Sequence, residues 1–181
     1  MGPYFVETIY NNMKYRCGRI DNYLDCSVCD EWLNDRNSFY QWCFKNLYNC
    51  NIDTLELDKD LFSKGEKIYS PDTCCFLPKR INVAITCKQT KSSMLPTGIS
   101  IYYSGGYIAT VRNGSRRVSK TFQNLDDACE FYVSTKERYI REMAGFYKEY
   151  LPERIYNALM EYKVKQDFPL ERYKHGKCKR I

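Results

Sequence analysis

Residues 99–122 constrain the fold more than any other stretch of the chain. Ile99-Ser100-Ile101-Tyr102-Tyr103 alternates apolar with polar, and Ser104-Gly105-Gly106 follows as a turn in which glycine supplies positive φ at little cost. Tyr107-Ile108-Ala109-Thr110-Val111-Arg112 reads as a second strand. Asn113-Gly114 is the strongest short hairpin signal in the sequence, and Arg117-Val118-Ser119-Lys120-Thr121-Phe122 reads as a third strand. Asn124 then stands as an N-cap before a helix running through Ala128, Phe131 and Tyr132 to about residue 144. The expectation is a three-stranded antiparallel sheet over 97–122 with one helix packed on it.

Side chains alternate across a sheet, so parity sorts these residues into two faces. Ile99, Ile101, Tyr107, Ala109, Val111, Val118 and Phe122 share the face that the helix covers. Ser100, Tyr102, Ile108, Thr110, Arg112, Arg117, Ser119 and Thr121 face outward. Lys120 breaks the apolar pattern and is expected to snorkel around the edge. Charge singles out the same region. Residues 1–87 hold ten Lys/Arg against twelve Asp/Glu, a net of −2, whereas 88–181 hold eighteen against ten, a net of +8. The stretch 88–125 holds six basic residues and no acidic one. A field of one sign on a narrow ribbon suits duplex DNA. Arg112 and Arg117 can donate to base edges, and Ser100, Tyr102, Thr110 and Ser119 can bond base or phosphate. Lys88, Lys91, Arg116 and Lys120 are expected to hold phosphates.

The rest of the chain divides around this segment. Its 181 residues, 44% of them hydrophobic, suffice for one ordinary domain or two small ones. A polar, Ser-containing stretch at 88–96 reads as a linker. It separates a module at 1–87 from the sheet module at 97–145, with a helix and basic tail at 146–181. In the first module, 6–17 reads as a helix with Ile9, Met13 and Cys17 on one stripe. Residues 29–44 read as a helical region anchored by Trp32, Phe39, Trp42 and Cys43, and 55–58 as a short strand. Ser70-Pro71-Asp72 is a turn, and 74–83 is a short helix or extended segment. A last helix spans 152 to about 165, with Ile155, Leu159 and Tyr162 on one side. The fold class is therefore α+β. No apolar run approaches eighteen residues, so no membrane partner is expected. With no secretory signal at the N-terminus, the ten cysteines read as thiols or metal ligands in a reducing cytoplasm, that of a bacterial host cell.

Two resemblances follow from particular residues. Gly98-Ile99-Ser100, Gly106 through Val111, Lys120-Thr121-Phe122 and Leu125 through Tyr132 together resemble the APETALA-type DNA-binding domain over about 45 residues. That resemblance implies a three-stranded sheet on one helix that reads the major groove. The sequence departs from the family pattern at Tyr107, where Trp is common, and at Thr110, where a longer polar residue is common. In the first module, Asn12 through Cys17, Ser27 through Trp32 with Ser38-Phe39, Leu57-Asp58-Lys59-Asp60 and Tyr69 through Cys74, with Asn82 beyond, resemble a phage family of HNH endonucleases. This implies a ββα module of the kind that accompanies APETALA-type domains in homing endonucleases.

The chemistry of that module is degenerate. An HNH site needs an imidazole whose pKa near neutrality takes a proton from water, and a divalent metal. The only histidine is His175 in the tail, and Lys59 stands where the family's base belongs. Asp58 and Asn82 remain as a vestigial metal pair, too few oxygen ligands for a strong site. Cys26 and Cys29 form half of a zinc set, which Cys17, Cys43, Cys74 or Cys75 can complete. The set taken forward for a structural Zn²⁺ is Cys17, Cys26, Cys29 and Cys74, against the alternative of small buried hydrophobes. The leading expectation is a phage or mobile-element protein that binds double-stranded DNA without cutting it. A phage counter-defence inhibitor, such as an anti-CRISPR protein acting on a host nuclease complex, is the alternative. An active homing-type HNH endonuclease is the third reading, and a homodimer is the expected self-association.

Overall fold

The computed structural model describes residues 3–63, 65–86, 95–113 and 116–164. They form a mixed α+β structure of six α-helices and three small sheets among the described residues. Packing divides the described residues into two compact units, those up to Asn82 with Tyr147–Leu159, and those of Val83–Phe146 with 160–164.

The first unit opens with helix α1, Pro3–Arg16. Its buried stripe is Val6, Tyr10 and Met13, at helical spacings of four and three. Ile9 and Cys17, expected on that stripe, are only half-buried. Tyr10 takes the inner position because its hydroxyl finds a partner there, donating to the Trp32 carbonyl at 2.9 Å. Strand β1, Ser27–Val28, leads into helices α2, Asp30–Asn34, and α3, Arg36–Asn46. The single helical region expected over 29–44 is broken at Asp35. That residue is extended, and its carboxylate accepts the Asn37 N–H at 2.9 Å, so it starts a new helix. Trp32, Phe39 and Cys43 are fully buried, and Trp32 packs edge-on to Phe39 at 4.9 Å and against Trp42 at 5.1 Å.

Strand β2, Leu55–Asp58, is followed by β3, Ile68–Tyr69, then β4, Cys75–Pro78, and helix α4, Lys79–Ile85. β2 and β4 are antiparallel, with Leu57 opposite Phe76 and Asp58 opposite Cys75. β1 and β3 make a two-residue parallel pair. All four residues of β4 are buried, so no alternation marks it as a strand. Residues 147–159 complete this unit through Tyr147, Leu151, Ile155 and Leu159, all buried, and Tyr147 donates its hydroxyl to Asp53 at 2.9 Å.

The second unit is built on β5, Ile99–Ile101, β6, Tyr107–Asn113, and β7, Arg116–Phe122, in that spatial order and antiparallel throughout. Helix α5, Leu125–Phe146, covers one face. Asn124 caps it, its side-chain carbonyl accepting the Asp127 N–H at 2.8 Å. Ile99, Ala109 and Val111 from the sheet meet Ala128, Cys129 and Tyr132 from the helix, with Phe122 and Phe131 packed at the margin, ring centroids 5.4 Å apart. Ile101, expected on the covered face, is exposed instead. It ends a three-residue edge strand, and α5 lies chiefly over β6. Helix α6, Glu153–Met160, stops five residues short of the expected end near 165, a position outside the described residues. Ile155 and Leu159 are buried as its stripe, while Tyr162 lies past its end, donating to the Ile85 carbonyl at 3.3 Å. No helix among the described residues is long and apolar enough to cross a membrane.

Candidate nucleic-acid interface

The register of the second unit sets out its uncovered face row by row. Ser100 lies opposite Ile108, and Ile108 opposite Thr121. Thr110 pairs with Ser119, and Arg112 with Arg117. Ser100, Arg112, Arg117, Ser119 and Thr121 are exposed, and Tyr102, Ile108 and Thr110 are half-buried. The face thus carries a hydroxyl row at its middle and two guanidinium groups at one end. The Thr110 and Ser119 hydroxyls are 3.0 Å apart, and Arg117 donates through Nε to the Ser119 oxygen at 3.2 Å. Arg112 and Arg117 are both exposed, and neither meets a carboxylate among the described residues.

Lys120 sits on the opposite parity, across from Ala109. Its ammonium lies over the Phe122 and Phe131 rings, 5.4 and 5.8 Å from their centroids, and its side chain is exposed. The stem therefore runs over the core margin and the head reaches water, which is the snorkelling geometry. Arg116 pairs through its backbone with Asn113 at the start of β7, and Lys88, Lys91, Gly114 and His175 lie outside the described residues.

Two glycines position the face. Gly105 and Gly106 adopt φ of +95° and +85° in the turn between β5 and β6, and a Cβ at Gly106 would collide with the Phe122 carbonyl oxygen. Parity points to Tyr102 alone, yet Tyr103 beside it is 90% exposed and its ring lies 4.4 Å from that of Tyr102. The available signal was two consecutive tyrosines directly before Ser104-Gly105-Gly106.

Asp58, Lys59 and Asn82 all lie in the first unit. Asp58 ends β2 and is buried, its Oδ2 accepting the N–H groups of Asp60 and Leu61 at 2.8 Å each. Burial pushes its carboxyl pKa up to about 6. Asn82, on α4, donates through its side-chain nitrogen to Glu56 Oε2 at 2.8 Å. Lys59 is buried too, with Nζ 2.6 Å from Asp60 Oδ1 and set over the rings of Tyr23 and Tyr69. Desolvation alone would lower its pKa, but the hydrogen bond and charge of Asp60, with Cys26 and Asp58 beside it, hold it above the usual lysine value. An ammonium so held cannot accept a proton from water near neutrality.

The cysteines among the described residues are free thiols. Burial pushes Cys43 and Cys74 up to about 12 and raises Cys17, Cys26, Cys29, Cys75 and Cys129, so these seven lack the lowered pKa of an activated thiol. Among the described residues no three His, Cys, Asp or Glu side chains gather as a metal-binding group. Cys17 and Cys26 are near enough to influence one another electrostatically, but neither the Cys17, Cys26, Cys29 and Cys74 set nor Asp58 with Asn82 stands out as such a group. No protein-family model matches the chain, and no curated protein or solved structure matches it.

Proposed function

We propose that this chain binds double-stranded DNA through the outer face of β5–β6–β7 and does not cut it. The observation that carries the reading is the paired row of Arg112 and Arg117 beside the Thr110–Ser119 hydroxyls, on the side of the sheet that α5 leaves open. Charge of one sign, aligned along a narrow antiparallel ribbon, complements a phosphate backbone, and arginine forks match guanine edges. The sheet-and-helix order supports kinship with the APETALA-type domain. The order β2, β4, α4, with Asp58 ending β2 and Asn82 on α4, supports a degenerate HNH module before it. The protonated Lys59 at the position of the base supports a binding role over a nuclease one. We infer a protein of phage or mobile-element type on the same grounds.

A mobility-shift titration with random duplex DNA over a salt series tests this. Binding that weakens steeply with salt is expected, and no binding at low salt would end the proposal. Supercoiled plasmid incubated with Mg²⁺ or Mn²⁺ tests the second half of the statement. Nicking that Asp58→Ala abolishes would show that the first unit is an enzyme after all.

A further inference from the structure

We propose that Tyr103, propped by Tyr102, is a stacking platform for an unpaired nucleobase at one end of the sheet face. This deepens the DNA-binding reading and rests on it. The geometry begins with the turn. The Gly105 N–H donates to the Tyr102 carbonyl at 3.0 Å, and the Tyr102 N–H to the Gly106 carbonyl at 3.0 Å. Tyr103 and Ser104 are thus the two central residues of a closed turn, and its glycines at positive φ fix where the turn points. A ring at such a position has little protein to cover it, and Tyr103 is the most exposed large hydrophobic side chain among the described residues.

A lone exposed tyrosine needs no explanation. Here the second ring changes the physics. Tyr102 is half-buried and lies 4.4 Å from Tyr103 at an interplanar angle of 53°. Contact with a partly buried neighbour restricts the rotamers of the exposed ring, so less entropy is lost when a planar partner lands on it. The Tyr102 N–H bond to the Gly106 carbonyl extends the pairing one residue past Ile101, so Tyr102 continues the outward parity of Ser100, and its ring contact keeps Tyr103 at the turn end of that face. Six residues of strand separate the level of Gly106 from Arg112, about 20 Å at roughly 3.4 Å per residue. The face therefore offers guanidinium groups for a paired backbone at one end and an aromatic pair at the other. Stacked bases in intact duplex hide their faces, so a ring presented this way favours a base that is extruded or bulged.

The test uses the full chain and two duplexes of equal length, one fully paired and one with a single bulged 2-aminopurine, with binding read by fluorescence anisotropy and stacking by quenching of the 2-aminopurine. The wild type is expected to bind the bulged duplex about five- to thirty-fold more tightly and to quench the probe. Tyr103→Ala, at an exposed position, should bring the two affinities together and remove the quenching, while Tyr103→Phe should keep both. Equal affinities for the wild type, or a preference that survives Tyr103→Ala, would overturn the stacking proposal and leave duplex binding standing. Binding to neither duplex would overturn both readings.

Discussion

The Tyr132 ring fills the space that a side chain at Gly98 would need. Gly98 has φ +79°, and a Cβ built on it would fall 2.1 Å from Tyr132 Cε2 and 2.9 Å from the Thr110 carbonyl oxygen. The Gly98 carbonyl accepts the Thr110 N–H at 2.7 Å, so the strand entry, the middle strand and the covering helix converge on one residue without a side chain. The open face of the sheet depends on this contact, because it seats β5 against β6 while Tyr132 holds α5 to the covered side.

Gly98→Ala should therefore destabilise the second unit by on the order of 3 kcal/mol, combining overpacking against Tyr132 with the left-handed backbone that alanine resists. Urea unfolding followed by circular dichroism reads this directly. Tyr132→Leu in the same chain should recover part of the loss, because it removes the ring but not the positive φ. A Gly98→Ala variant with wild-type stability would mean that the strand entry is not seated as described.

Arg112→Ala and Arg117→Ala should each weaken duplex binding and lower the slope of log affinity against log salt by about one where a phosphate contact is lost. Lys120→Ala should change the slope less, because its ammonium is set over Phe122 and Phe131 on the other parity. Binding isotherms at four salt concentrations distinguish the three. Equal slopes for wild type and both arginine variants would be incompatible with the face assignment.

Glu137 gives the second unit a pH signature. It is buried on α5, and its carboxylate accepts from Lys163 Nζ at 3.1 Å and from the Val164 N–H at 3.2 Å, with Arg141 3.6 Å away. Desolvation opposes the charge, but these donors outweigh it and hold the carboxyl below its usual value. A depressed folded pKa contributes stability above the unfolded value near 4.5, and that contribution is lost as pH falls through the folded one. Glu137→Gln should accordingly be less stable than wild type at pH 7, with the gap closing toward pH 3. A gap that stays constant across a thermal-melt series from pH 3 to 7 would remove the ion cluster as its cause.

The second unit was legible because its signals are local. Alternation, Gly105-Gly106, Asn113-Gly114 and the Asn124 cap each act within a few residues, and the three strands and α5 follow from them. Ile101 escaped because edge exposure depends on where the helix lies, which parity cannot say. In the first unit, the parallel pairing of β1 with β3 joins residues about forty apart through two residues each, too few to alternate. The break at Asp35 had a local signal, since Asp is a poor helix-interior residue and a good N-cap, but the apolar anchors on both sides of it read as one continuous helix until its bond to Asn37 is seen. Lys59 was found as an anomaly of sequence, but what holds its charge, Asp60 beside two tyrosine rings, required the fold.

Lys59 supports the last prediction. Its side chain is buried while Asp60 is largely exposed, so the pair is half desolvated. Removing the cation leaves Asp58 buried without the neighbouring positive charge that offsets its ionisation. Lys59→Met, which keeps the stem and its packing on Tyr23 and Tyr69, should cost on the order of 2 kcal/mol at pH 7.5, as breaking a partly buried pair does. The loss should shrink in Asp58→Asn/Lys59→Met, where the neutral amide still offers an oxygen to the Asp60 and Leu61 N–H groups. A double-mutant cycle by urea unfolding measures the coupling. Strict additivity would show that Lys59 is held there for packing alone, and the charge argument for its position would fail.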